Sequence, residues 1–107
     1  MLEHFHPLEN IERLSDGYCR CVEVAGHNLL LVCTEGELFL IENRCPHMDW
    51  PLDSGEIKNR TIVCAKHRIQ FDLRTGLAFA PGSLEPLTRY EVVVVDGQAG
   101  IDLRQLS

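Results

Sequence analysis

Basic residues are scarce. Ten Lys and Arg stand against sixteen Asp and Glu in a chain of 107 residues, leaving a net charge of −6. Phosphate binding needs clustered cations, so nucleic acid is not an expected partner. An acidic surface is steered instead towards a basic one. Long apolar runs are missing too. Leu29–Cys33 is the longest and Val92–Val95 is among the next, far short of the roughly 20 residues that cross a bilayer. No membrane span is expected. The stretch Met1-Leu2-Glu3-His4-Phe5-His6-Pro7 lacks a basic region followed by an apolar core, so no secretory signal is expected. Helical spacing is nearly absent: only Leu8–Leu14 carries it for more than a turn. An even cysteine count is lacking as well. Five cysteines, at 19, 21, 33, 45 and 64, argue against a disulfide framework and for reduced, metal-binding thiols in the cytoplasm.

What remains is an ordinary globular mixture, 45% hydrophobic and 24% charged. No repeat or linker divides it, so a single domain over residues 1–107 is expected. A chain this short has room for a small core around one site, not for a catalytic domain plus a cofactor domain. Strand signals dominate. Tyr18–Ala25, Leu29–Thr34 and Leu38–Glu42 are separated by Gly-containing turns and predict hairpins. Ile62–Cys64, Gln70–Asp72 and Leu77–Phe79 predict further short strands, with a turn at Arg74-Thr75-Gly76. Arg89–Val95 has the strongest strand propensity and turns through Asp96-Gly97 into Gly100–Leu103. Many short strands predict an antiparallel sandwich or small barrel.

Two stretches resist strand assignment, Asn43–Gly55 and Ala65–Arg68, and they hold the most chemically loaded residues. Cys45-Pro46-His47 is followed after sixteen residues by Cys64-Ala65-Lys66-His67. Each half offers one thiolate and one imidazole on a loop beyond a strand. Such a set suits a tetrahedral zinc, or a two-iron cluster with two Cys on one iron and two His on the other. Residues i and i+2 of an extended segment point the same way, so Cys45 and His47 can reach neighbouring metal atoms. Closing both onto one zinc needs a tighter chelate than the usual gap. The bland alternative is two buried cysteines and two surface histidines.

These motifs resemble a known family, the Rieske-type ferredoxins of the soluble, low-potential, oxygenase-associated kind. The resemblance runs from about Glu37 to Leu103. It rests on Gly36-Glu-Leu-Phe, Cys45-Pro-His47, Pro51-Leu52 with Gly55, Cys64-x-x-His67, Phe71-Asp72-Leu-Arg-Thr-Gly76 and Pro81-Gly82. It implies an all-β, antiparallel β-sandwich with two cluster-binding loops at one end and one [2Fe–2S] cluster per chain. Cys45 and Cys64 would bind the buried iron, His47 and His67 the outer iron, and the Pro81-Gly82 loop would cover the cluster from a third side. Relatives usually carry Gly after the second histidine; here it is Arg68. High-potential respiratory members resemble Cys-x-His-x-x-Cys and Cys-x-Cys-His-x-Ser-x-Tyr. The matching positions here are Trp50, Lys66, Ile69 and Phe71, so neither the extra disulfide nor the two hydroxyl donors exist.

The resemblance implies a one-electron carrier between a flavin-dependent reductase and a terminal aromatic-ring-hydroxylating oxygenase. The carrier is expected to be a monomer without catalysis of its own. Two other readings stay open at this level: a small subunit of a nitrite-reductase-like complex, and a zinc-stabilised binding module. Cys19 and Cys21 form a Cys-x-Cys that reads as thiols packed in or beside the sheet. Cys33 reads as core, and His4, His6 and His27 as solvated loop or terminal residues. Met48, Trp50 and Pro51 suit either packing under the loop or an apolar docking rim. Asp49, Asp53 and Glu56 are candidates for guiding a basic partner.

Overall fold

The computed structural model of the chain describes residues 2–46, 50–65, 68–79 and 85–106. His47, Met48, Asp49, His67 and the Pro81-Gly82 pair therefore lie outside the described residues.

The apolar run Leu29–Cys33 sets the architecture. It lies in strand β3 (His27–Thr34), which pairs antiparallel on one side with β2 (Tyr18–Val24) and on the other with β4 (Glu37–Glu42). Alternate side chains of a strand point to opposite faces. Leu30 and Val32, with Ile41 and Phe39 opposite them, enter one core group. Leu29 and Leu31, with Leu40, enter another. A strand buried on both faces needs no alternation, which explains the unbroken run. Each such side chain taken from water contributes about 2 kcal/mol.

The sheet β2-β3-β4-β8, with β8 at Arg89–Tyr90, is thus a middle layer. One face is covered by the sheet of β1 (Phe5–Asn10), β10 (Gln98–Asp102) and β9 (Val93–Val95), with Ile101 in the shared core. The other is covered by β5 (Glu56–Lys58), β6 (Thr61–Val63) and β7 (Gln70–Asp72), which bring Ile62 and Phe71. All pairings are antiparallel among the described residues, as the strand pattern predicts.

Several local expectations need correction. Leu8–Leu14 is not helical: it runs from the end of β1 through a 3-10 turn at Ile11–Arg13, and a register shift between Pro7 and Glu9 displaces Leu8. Both leucines still pack on the core, so their spacing imitated a helix. Pro7 is tolerated because β1 lies at a sheet edge. Leu77–Phe79 is not a strand but a single bridge, Phe71 to Ala78; Leu77 and Phe79 stay 58% and 60% exposed. Arg89–Val95 is not one strand. It breaks at Glu91 and Val92 and passes from the middle sheet to the outer one. The Gln105 side chain satisfies the break, accepting from Glu91 N–H at 2.8 Å and donating to its carbonyl at 3.0 Å. His6 lies within β1 and His27 opens β3, so neither is a loop residue.

Among the described residues, four hairpin turns have two successive residues at positive φ: Ala25-Gly26, Glu35-Gly36, Asn59-Arg60 and Asp96-Gly97. This left-handed pair matches the twist of the flanking strands. Arg60 stands at φ 62 where the other turns have glycine. Its guanidinium pairs with Glu35 at 3.1 Å and with Glu37, and Arg74 reaches Glu37 at 3.2 Å. These ion pairs fasten the far end of the small sheet to the β3–β4 turn and offset the strain at Arg60.

Candidate metal centre

Strand β4 delivers the chain through Asn43 and Arg44 to Cys45, and β6 delivers it directly to Cys64. Both cysteines are fully buried and belong to one core group with Leu52, Ile62, Phe71, Leu73 and Leu87. The two loops close in the same way. Cys45 N–H donates to the Trp50 carbonyl at 2.7 Å, and Cys64 N–H donates to the Ile69 carbonyl at 2.9 Å. In each case the cysteine anchors a loop to the carbonyl five residues on, and each loop carries one of the two histidines in its sequence. The middle layer and the small sheet therefore hold the thiols from two directions.

The second loop tightens further. Arg68 N–H donates to the Cys64 carbonyl at 2.7 Å, and Arg68 takes a left-handed backbone at φ 59. Glycine reaches that region freely; another L-residue gives up about 1 kcal/mol. The exposed Arg68 side chain thus sits on backbone that suits glycine. At the exit of the first loop, Gly55 N–H donates to the Leu52 carbonyl at 2.9 Å. A Cβ on Gly55 would overlap the Val63 carbonyl, one residue before Cys64. This close approach brings the two loops together.

Around the thiols the surface is mixed. Trp50 is 40% exposed, and Pro51, Asp53 and Glu56 are exposed beside it. Arg44 is also exposed and pairs with Glu42 at 2.6 Å. Cys19 is half-buried against the same core group, and its thiol is pushed up by burial, then by Asp53 and Cys21. Cys33 is core, and burial likewise raises its thiol pKa, with Asp16 adding to it. None of the five cysteines forms a disulfide. Among the described residues, no three His, Cys, Asp or Glu side chains converge, so Cys19 and Cys21 gain no third donor there. Sequence reading passed over Asn43, the one buried side-chain amide among the described residues. Its signal was a polar residue closing an apolar strand two positions before a candidate ligand.

A three-layer antiparallel sandwich that brings together two loops, each opened by a buried thiol, is the arrangement of a small metal-binding domain. The family model for the Rieske [2Fe-2S] domain matches residues 4–91, and the chain belongs to that family. Its cofactor is accordingly a [2Fe–2S] cluster, which decides between the cluster and the zinc readings. The 3-phenylpropionate/cinnamic acid dioxygenase ferredoxin subunit of Photorhabdus laumondii is 35% identical over 96 residues, covering 89% of this chain and 90% of that protein. The ferredoxin component of the p-cumate 2,3-dioxygenase system of Pseudomonas putida is 34% identical, covering 74% of this chain and 68% of that one. Among solved structures, the ferredoxin of carbazole 1,9a-dioxygenase from Nocardioides aromaticivorans superposes with a TM-score of 0.82. It is 26% identical and covers 92% of this chain and 97% of its own.

Proposed function

We propose that Cys45 and Cys64 bind the inner iron of the cluster and that His47 and His67 bind the outer iron, within one domain spanning residues 1–107. The observation that carries this reading is the matched pair of buried thiols, each opening a loop closed by the same backbone bond. The donor set fits the group: soft thiolates set among Leu52, Ile62 and Phe71 suit iron and sulfide and keep water from that side. When bound, the cluster supplies one reversible electron. The chain's own part is to hold it, to shield its thiolate side and to present its other side to partners.

The function that follows is one-electron transfer from a flavin-dependent reductase to a terminal, aromatic-ring-hydroxylating type oxygenase. The chain is the carrier of that multicomponent oxidoreductase system, not its catalyst. Relatives named as ferredoxin components of dioxygenase systems support it. A monomer is part of the reading, and so is the cytoplasm, which five free thiols support. No helix among the described residues is long and apolar enough to cross a membrane.

Two measurements test it. With a net charge of −6 and Asp53 and Glu56 exposed near the first loop, encounter with a reductase or oxygenase is expected to be electrostatically assisted. Stopped-flow transfer rates should therefore fall as ionic strength rises, and Asp53→Asn with Glu56→Gln should lower them without moving the potential. A flat salt profile would reject steering and favour docking through exposed Trp50. The second measurement is voltammetric. Ile69 packs against the core group and Phe71 is buried within it, and neither side chain can donate to sulfur. The midpoint is expected at about −150 mV, the low end of the Rieske range, and Phe71→Tyr should raise it if the hydroxyl reaches the ligand sulfur. A wild-type value above roughly zero would contradict this.

A further inference from the structure

Asn43 is a buried amide, 6% exposed, at the foot of the first ligand loop. Its Oδ1 accepts two backbone bonds, from Leu52 N–H at 2.7 Å and from Asp53 N–H at 2.9 Å. Its Nδ2 donates to Cys21 Sγ on β2 at 3.2 Å, and the Cys21 thiol donates on to Asn28 Oδ1 at 2.9 Å. Its own N–H donates to the Asn28 carbonyl at 2.9 Å. Both ends of the amide are therefore engaged, and only one orientation satisfies them. With oxygen and nitrogen exchanged, the donors would face the two loop N–H groups, leaving buried polar groups unmatched.

The placement of these bonds gives them a purpose. The Cys45–Trp50 bond closes the inner part of the loop. Asn43 closes the next ring outward, from two residues before Cys45 to Leu52 and Asp53. Leu52 is the residue it aims: fully buried, in the same core group as Cys45 and Cys64. Because the amide bonds to Cys21 on β2 and the Asn43 backbone N–H to Asn28 on β3, the loop is tied to the middle sheet and not only to itself.

We infer that Asn43 is a positioning residue, whose side chain locks Leu52 and Asp53 against the middle sheet and seats Leu52 over the thiolate side of the cluster. The inference rests on the ligand set proposed above. Two expectations have opposite signs. Losing the amide lets the loop lift and water approach, and water favours the reduced cluster, which carries one more negative charge, so the midpoint rises. Replacing the amide with a carboxylate keeps the acceptor for both loop N–H groups and lets the Cys21 thiol donate where it had accepted, so the loop stays closed, while the added negative charge lowers the midpoint.

The test is hydrogen exchange by mass spectrometry on the holoprotein, with voltammetry of the same samples. In Asn43→Ala the peptide containing Leu52 and Asp53 should exchange about tenfold faster, as expected for losing two such bonds, and the midpoint should rise. In Asn43→Asp, exchange should match wild type while the midpoint falls. Wild-type exchange in Asn43→Ala would overturn the inference. So would fast exchange in Asn43→Asp, which remains readable if the alanine variant fails to fold. Faster exchange in Asn43→Ala with an unmoved midpoint would also overturn it, since a purely structural bond gives that result. Failure of the ligand set itself shows elsewhere, as full iron retention in alanine variants of Cys45 and His47.

Discussion

Replacing His47 with alanine is expected to leave a folded protein without its normal cluster. A [2Fe–2S] centre held by four side chains has no ligand to spare, and open coordination invites hydrolysis and iron loss. The same outcome is expected for His67→Ala. Substituting either buried thiol should be worse, because Cys45 and Cys64 also fill the core: each is fully buried among Leu52, Ile62 and Phe71. The readouts are iron and sulfide content together with the visible spectrum. Wild-type iron and an unchanged spectrum in His47→Ala would remove that residue from the ligand set.

Gly55→Ala is the second large effect, and it arises from sterics alone. Its Cβ would overlap the Val63 carbonyl oxygen and meet the Leu52 carbonyl oxygen at 3.1 Å. Both obstacles are backbone, so no rotamer change relieves them. Either β5 separates from β6 or the exit of the first loop shifts, and each moves one cysteine loop relative to the other. Strain of this kind costs about 3 kcal/mol or more, which lowers Tm by about 15 °C in a domain of this size. Gly97→Ala is the control. That turn glycine has positive φ but open space around it, so only about 1 kcal/mol is expected. Equal Tm losses in the two variants would contradict the close-approach account.

Much of the fold was legible because its signals are local. Gly26, Gly36 and Gly97 mark hairpin turns, and Gln70–Asp72 lies where its pattern places it. The unbroken apolar run Leu29–Cys33 announced a buried strand, though not that sheets cover both its faces. The misses are tertiary. Strand β5, Glu-Ile-Lys, has one apolar residue and exists by pairing with β6. Arg89–Val95 has uniform propensity but serves two sheets, and the Gln105 side chain that permits the break is distant in sequence. The candidate site stood out for a similar reason: each proposed Cys–His pair is compact in sequence. What joins the pairs is not compact. The Gly55–Val63 approach leaves no pattern in the chain, and Asn43 leaves only a polar residue at the end of an apolar strand, which does not show its bonds to Cys21, Leu52 and Asp53.

The central claim is that two cysteines and two histidines of this chain hold one two-iron cluster. Pulsed EPR of the dithionite-reduced holoprotein tests it most directly, because hyperfine coupling reports the nitrogens bound to iron. Two strongly coupled imidazole nitrogens per cluster are predicted, with one of them lost in any cluster that survives in His47→Ala or His67→Ala. A reduced cluster with no coupled nitrogen, or a colourless protein carrying zinc in place of iron, would contradict the account.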